Sequence, residues 1–336
     1  VGCSSFAAWG RRTVDGNLLI GRNFDFYAGD DFAENKVIAF IKPDRGYRHV
    51  IVTWPGMIGA VSGMNEQGLT VTINAGKSSV PIKAKTPISL VTREILQYAS
   101  NIEEAIRLAR LRDVFVAESI MVGSAADRKA ILIEVSPRNF GVYELPDDEG
   151  MLICTNHFQS EPYRGDKRNL RYMEESHSRY RFDRLRELLD ATPKITPTQA
   201  AGLLRNYLGI GGKSLGYGNE KAINQLLAHH AVIFKPEERL LWVSAPPYQL
   251  GSFVAYDLNT IFARLDTLSF PQAIDEIDRR IPADPFIFTE SYANYELYRQ
   301  QAKSLERAIA EGRVLNEETL RLFRKLNPDF WKTYFL

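Results

Sequence analysis

The sequence predicts an α+β fold in which sheets and helices form separate layers. Blocks of short β-branched and aromatic runs alternate with blocks of helical periodicity along the chain. Each strand block needs a helical layer or a second sheet to cover its apolar face, which favours a layered domain. With 336 residues, 45% of them hydrophobic, the chain can bury a large core without disulfide or metal support.

The first block of strands lies within residues 1–80. Asp15 with Gly16, and Gln67 with Gly68, are turn signals between its runs, and the short spacing predicts antiparallel pairing. The predicted strands are residues 6–9, 17–20, 37–40, 50–54, 57–61 and 69–73.

Two blocks of helices and a second block of strands follow. The predicted helices are residues 88–99, 102–111, 169–189 and 197–207, and the predicted strands are residues 119–122, 130–135, 140–143, 151–154, 231–234, 240–243 and 253–256. Beyond these strands the sequence is mainly helical. We therefore predict one domain over residues 1–258 and a helical C-terminal extension over residues 259–336, packed on the same domain.

Charge and hydropathy argue against two classes of partner, nucleic acid and membranes. Lysine and arginine number 42 and acidic residues 41, so the net charge of 42 − 41 = +1 provides no long-range field to attract nucleic acid or anionic lipid. No apolar run approaches the roughly 18 residues of a membrane helix.

Composition leaves a homo-oligomer and the cellular compartment open. The chain does not begin with methionine, so we expect that residues before Val1 were removed or lie outside this sequence.

Cys3 is the most informative residue. If Val1 and Gly2 are removed, its thiol and a free α-amine belong to one residue, and an amine with a pKa of about 7.7 to 8.0 can serve as base for the thiol. Two other interpretations remain open. Cys3 could be a buried structural cysteine, or it could be the lipid-modified cysteine of a bacterial lipoprotein, which would place the protein in the periplasm or cell envelope.

Seven short segments of the sequence, the first of which contains Cys3, form an ordered set of motifs. They are residues 3–10, 15–16, 21–26, 63–69, 72–74, 154–158 and 178–179. In this order they resemble the N-terminal nucleophile (Ntn) hydrolases that act on linear amides, namely the choloylglycine hydrolase and acyl-CoA:6-aminopenicillanic acid acyltransferase groups (peptidase family C45). The resemblance spans residues 3–257 and implies a four-layer αββα sandwich.

The resemblance also implies roles for individual residues. Cys3 would be the nucleophile, Asp25 the acceptor that orients its α-amine, and Arg22 a cation beside the thiol that favours the thiolate. For Arg22 and Asp25 the alternative is a salt bridge in a turn.

Three more site residues follow from the later motifs. Asn74 and Asn156 would line the oxyanion hole or the site wall, and Arg179 would lie behind the nucleophile. Asparagine is also a common turn residue, and Arg179 belongs to an arginine-rich helix that could simply face solvent.

The predicted function is a cysteine amidohydrolase that cleaves a linear non-peptide C–N bond through a thioester acyl-enzyme, with a small acyl amide as substrate. An acyltransferase that uses the same site is the alternative, and a lipid-anchored binding protein is the rival from another class. The resemblance implies self-cleavage before Cys3, where Gly2 supplies a small residue. We predict no cofactor. We also predict no metal site, because Cys154 and His157 lack a second ligand pair at suitable spacing, and we interpret Cys154 as a core residue.

Overall fold

Thirteen strands make up two antiparallel sheets in the computed structural model, which describes residues 2–29, 32, 35–79, 84–146, 148–269 and 271–335. The strands are β1 Ser4–Ala8, β2 Leu19–Phe24, β3 Val37–Ile41, β4 His49–Thr53, β5 Ser62–Asn65, β6 Leu69–Ala75, β7 Glu118–Ser124, β8 Lys129–Val135, β9 Phe140–Tyr143, β10 Met151–Cys154, β11 His230–Lys235, β12 Leu240–Ser244 and β13 Phe253–Asp257. One sheet has the order β10-β1-β2-β11-β12-β13 and the other β3-β4-β5-β6-β7-β8-β9.

Eight α-helices lie within the described residues. They are α1 Ile88–Tyr98, α2 Ile102–Arg110, α3 Lys167–Glu175, α4 Ser178–Asp190, α5 Pro197–Leu204, α6 Leu258–Arg264, α7 Glu290–Ala310 and α8 Glu317–Leu326. No helix in the described part of the chain is both long and apolar enough to cross a membrane.

Three apolar clusters separate four layers and confirm the predicted αββα sandwich. The first lies between the sheets and includes Ile20, Val52 and Leu132. The second joins the outer face of the seven-stranded sheet to α1 and α2, and the third joins the six-stranded sheet to α4 and α5. Both sheets are thus covered on both faces, which explains why most of their strands are apolar throughout.

A fourth apolar cluster holds the C-terminal helices. Tyr298 and Leu305 of α7 and Phe323 of α8 belong to it together with Leu226 and Leu250, which precede β11 and β13. The extension therefore has apolar contacts with loops of the sandwich.

Two predicted elements were wrong. Residues 57–61 form a turn instead of a strand: Met57 N donates to Trp54 O and Ala60 N donates to Ser89 O, so the apolar residues pack beside α1 and the strand begins at Ser62. The single helix predicted over residues 169–189 is broken into α3 and α4. Ser176 has an extended backbone, and its hydroxyl accepts from the N–H of Ser178 at the start of α4.

Candidate active site

Cys3 immediately precedes β1, a central strand of the six-stranded sheet. β1 pairs with β10 on one side and with β2 on the other, which places the cysteine between Asp25, directly after β2, and residues 155–156, directly after β10. The side chain is 1% exposed. Cys154, the second cysteine, lies in the core between the sheets, as predicted.

Arg22 is fully buried beside the thiol. Its Nη2 lies 3.9 Å from Cys3 Sγ and also donates to the carbonyl oxygen of Ile73, while Nη1 donates to Ser62 Oγ at 2.8 Å. The guanidinium also lies 4.4 Å from the centre of the Phe24 ring. Arg22 thus joins the two sheets and is not a member of a surface turn salt bridge.

The pKa of the Cys3 thiol is raised, because burial disfavours the charged thiolate more than Arg22 favours it. Arg22 therefore acts in the predicted direction but does not by itself ionise the thiol in this form of the chain. A base must take the proton.

Asp25 has an unused acceptor beside the start of the chain. It is fully buried, and burial raises the pKa of its carboxyl to about 7, against the opposing charges of Arg181 and Arg22. Its backbone oxygen accepts from Gly2 N at 3.2 Å. Among the described residues, Oδ1 has no hydrogen-bond partner. This oxygen is available to a donor such as an α-amine.

Asn74 bridges the two sheets. Its Nδ2 donates to the carbonyl oxygens of Cys154 and Thr155, both at 3.0 Å, and its Oδ1 accepts from Ser5 Oγ. An amide nitrogen has two hydrogens, and both are used here. The predicted oxyanion contact would therefore require Asn74 to give up one of these bonds.

Asn156 differs from Asn74 in having a donor to spare. It is 1% exposed, and Nδ2 donates to Ala75 O at 2.8 Å while Oδ1 accepts from Arg181 Nη2 at 2.7 Å. The second hydrogen of Nδ2 has no acceptor among the described residues. Because Arg181 fixes the amide orientation, this N–H is rigidly held.

The structure does not bring Arg179 to the site. Its side chain is 55% exposed and pairs with Asp183 on the surface of α4. Arg181, two residues later and therefore on the opposite face of the helix, is buried and takes the position predicted for Arg179. Helical spacing could have identified it, because Arg181 lies four residues before Leu185, on the buried face.

A second group that sequence reasoning missed lies behind Arg22. His230 Nε2 lies 2.8 Å from Ser62 Oγ and 3.5 Å from Arg22 Nη1, and its Nδ1 lies 2.7 Å from His229 Nδ1. Burial lowers the pKa of both histidines, that of His229 to about 3, so both rings are neutral next to the arginine. Only the pairing of β11 with β2 brings them here, and no local sequence signal indicates that register.

Aromatic rings cover the same end of β2. The aromatic wall consists of Phe24, Phe26, Phe32, Trp54 and His229, with neighbouring ring centres 4.5 to 6.1 Å apart. The wall gives this end of β2 an apolar, aromatic surface. Among the described residues, no group of three or more His, Cys, Asp or Glu side chains could hold a metal ion.

Comparison with known proteins identifies the fold and a family. Residues 11–245, more than half of the chain, match the family described as acyl-coenzyme A:6-aminopenicillanic acid acyl-transferase. The Caenorhabditis elegans ortholog of N-acylethanolamine-hydrolyzing acid amidase superposes with a TM-score of 0.51 at 18% identity over 73% of this chain and 95% of that one. A variant of conjugated bile acid hydrolase from Clostridium perfringens also gives 0.51 at 18% identity, over 77% and 93%. Both confirm the Ntn-hydrolase fold.

Two curated relatives match over shorter regions. An uncharacterized protein of Archaeoglobus fulgidus is 27% identical over 183 residues, which are 47% of this chain and 30% of that protein. Protein dcd1B of Dictyostelium discoideum is 27% identical over 150 residues, 44% of this chain and 29% of its own length. The matched regions therefore span less than a third of these curated relatives.

Proposed function

Because the chain belongs to the acyl-coenzyme A:6-aminopenicillanic acid acyl-transferase family, we propose that it is an amidase or acyltransferase whose nucleophile is Cys3. The reaction begins once the chain has been cleaved before Cys3, so that the α-amine of this residue is free. The substrate is a small acyl amide with an apolar acyl group, which the aromatic wall beside Arg22 would contact.

The proposed mechanism accounts for every proton that is transferred. The α-amine takes the thiol proton, the thiolate attacks the amide carbonyl carbon, and the amine then gives the proton to the leaving nitrogen as the C–N bond breaks. A thioester on Cys3 remains. Water, or a second amine, attacks the thioester and restores the thiol.

The surrounding residues support these steps. Asp25 Oδ1 is the free acceptor that would orient the α-amine, and Arg22 offers a positive charge 3.9 Å from the sulfur. Asn156 has the uncommitted N–H that suits a developing oxyanion, with Arg181 holding its amide. The observation that carries the proposal is the position of a buried Cys3 between Arg22 and Asp25 in an Ntn fold.

Acyl transfer to an amine is the second candidate, and the family match favours it. Near-complete burial of Cys3 also favours it, because a thioester formed there is shielded from bulk water. Adding a competing amine during turnover separates the two activities. An N-acylated product would show transfer, and release of the free acid alone would show hydrolysis.

The lipid-anchor interpretation fits the geometry poorly. A diacylated cysteine must reach the bilayer, whereas Cys3 is 1% exposed and lies between β10 and β2.

The test uses Cys3→Ala with Cys154→Ala as the matched control, since both cysteines are buried and unpaired. A panel of N-acyl amino acids, acylated amines, bile-acid conjugates and penicillins is screened for amine release, with acid-quenched intact mass to detect the thioester. We expect Cys3→Ala to abolish turnover and the acyl adduct while Cys154→Ala retains both. Undiminished turnover in folded Cys3→Ala would refute the assignment.

A further inference from the structure

Gln225, in the loop before β11, holds the peptide group that precedes the nucleophile. Its Nε2 donates to the carbonyl oxygen of Gly2 at 2.6 Å and lies 3.4 Å from Asp25 Oδ2. The side chain is only 3% exposed. No motif identified from the sequence includes this residue.

Any side chain at position 2 would collide with the Gln225 amide in its present position. A Cβ added at Gly2 would lie 2.5 Å from Gln225 Nε2, 2.8 Å from Gln225 Oε1 and 3.1 Å from Arg181 Nη1. Any side chain would push the amide away from the carbonyl that it contacts. The contact between Gln225 and the Gly2 carbonyl therefore favours a small residue before the nucleophile, as expected from the sequence.

The loop that carries Gln225 is fixed on both sides. Asn224 is fully buried, its backbone N donates to Asn206 O at 2.8 Å, and its Oδ1 accepts from Leu226 N at 2.9 Å. Leu226 has a left-handed backbone, with φ of 52°, which is costly for a non-glycine residue and needs such support. Arg181 Nη1 donates to Glu220 O in the same loop. The donor of Gln225 is thus preorganised.

We propose that Gln225 is a catalytic residue of self-cleavage between Gly2 and Cys3, where its amide N–H stabilises the oxyanion formed on the Gly2 carbonyl. The inference rests on the proposed function in one respect, namely that the mature nucleophile is an N-terminal Cys3. It assigns a residue to a step other than substrate turnover.

The chemistry balances without a co-reactant other than water. Cys3 Sγ attacks its own preceding carbonyl carbon through a five-membered ring, and the thiol proton passes to Asp25. Negative charge on the Gly2 oxygen is met by Gln225 Nε2. Collapse breaks the Gly2–Cys3 C–N bond, Asp25 returns the proton to the departing nitrogen, and a thioester links Gly2 to Cys3. Water then releases Gly2 with a free carboxylate and leaves Cys3 with a free amine and thiol.

Gln225→Ala tests the donor directly, and Gln249→Ala is the matched control. Gln249 is also fully buried, but neither polar atom of its side chain has a hydrogen-bond partner among the described residues. Conversion of the uncut chain to the Cys3-terminal form is followed by intact mass, with thermal unfolding to show that each variant is folded. We expect Gln225→Ala to slow cleavage about 100-fold or more, as for loss of one oxyanion donor, and Gln249→Ala to cleave at the wild-type rate.

Gln225→Glu separates donation from a structural role. The carboxylate retains the shape but cannot donate, whereas the protonated acid can. Asp25, Arg181 and Cys3 face this position, and the Asp25 carboxyl and the Cys3 thiol titrate in the wild type as well. The readout is therefore the cleavage rate of Gln225→Glu divided by that of the wild type. We expect the ratio to rise as the pH falls from about 8 to about 5. A ratio independent of pH, or wild-type cleavage by folded Gln225→Ala, would overturn the inference.

The proposed function is tested separately on a chain beginning Met–Cys3, from which methionine removal exposes Cys3 without self-cleavage. Amidase or acyltransferase activity of this form, together with wild-type cleavage rates in Gln225→Ala, would refute the Gln225 inference alone. An uncut chain that retains Val1 and Gly2 indefinitely would overturn the self-cleavage proposal and the role of Gln225 with it.

Discussion

Buried ionisable groups surround Cys3. Two arginines, Arg22 and Arg181, lie among carboxyl groups whose pKa values burial raises, that of Asp25 to about 7 and that of Glu118 to about 8. A carboxyl that holds its proton near neutral pH can exchange that proton with a thiol or an amine. A raised pKa in the folded state must also make the stability of the protein depend on pH.

For Asp25 the sign follows from linkage. The folded pKa of about 7 exceeds the ordinary value of 3.8, so between these values the folded chain holds a proton that the unfolded chain has released. The stability contributed by the protonated carboxyl is therefore present below pH 3.8 and is lost as the pH rises towards 7. Asp25→Asn removes this dependence because the amide does not titrate.

The measurement is urea unfolding at several pH values in a Cys3→Ala background, which removes the proposed self-cleavage. Relative to Asp25→Asn, the parent should lose on the order of 4 kcal/mol between pH 4 and pH 7, since each pKa unit corresponds to about 1.36 kcal/mol. Asp183→Asn, on the exposed face of α4, should follow the parent. Equal pH dependence of the parent and Asp25→Asn would show that Asp25 does not carry a raised pKa.

At the scale of elements, Asn65 shows how a family motif can be structural. This residue ends β5, and its Oδ1 accepts from the N–H groups of Gln67 and Leu69 while Nδ2 donates to Leu96 O and Ala99 O. It closes the turn into β6 and satisfies carbonyls at the C-terminal end of α1, which have no partner within the helix. The motif at residues 63–69 thus fastens a sheet to its helical layer.

Asn65→Ala should therefore destabilise the protein by about 3 kcal/mol, because several buried backbone groups lose their partners at once. Asn259→Ala, which removes one exposed contact to Glu238 O, should cost about 0.5 kcal/mol or less. Chemical denaturation of both variants gives the comparison. Equal losses would mean that water replaces the bonds of Asn65 without penalty.

The elements also show what a sequence can and cannot predict. Apolar periodicity located nearly every strand and the helices α1, α2 and α5, because those patterns are local. The strand predicted over residues 57–61 was wrong, because apolar residues can pack against a helix as well as pair in a sheet. Motif order predicted that Cys3, Arg22, Asp25 and Asn156 would lie together, and the structure places them around the start of β1. His230 and Gln225 could not be predicted, because only the pairing of β11 with β2 places His230 beside Arg22, and only the fold of a distant loop places Gln225 beside Gly2.

At the scale of the whole molecule, the C-terminal extension is coupled to the loop that carries Gln225. Phe323 of α8 is fully buried and stacks on Tyr298 of α7 with ring centres 4.9 Å apart. Leu226, the chain neighbour of Gln225, belongs to the same apolar cluster. Helices α7 and α8 therefore contact the loop that carries Gln225.

Phe323→Ala tests that coupling against Leu322→Ala, whose side chain is 52% exposed on the same helix. Removing the buried ring should cost about 3 to 5 kcal/mol, and removing the exposed leucine far less. If the extension and the sandwich form one cooperative unit, calorimetry of Phe323→Ala shows a single transition shifted to lower temperature. A new early transition, with the main one unmoved, would show instead that the extension unfolds independently of the sandwich, and the single-domain prediction would be wrong.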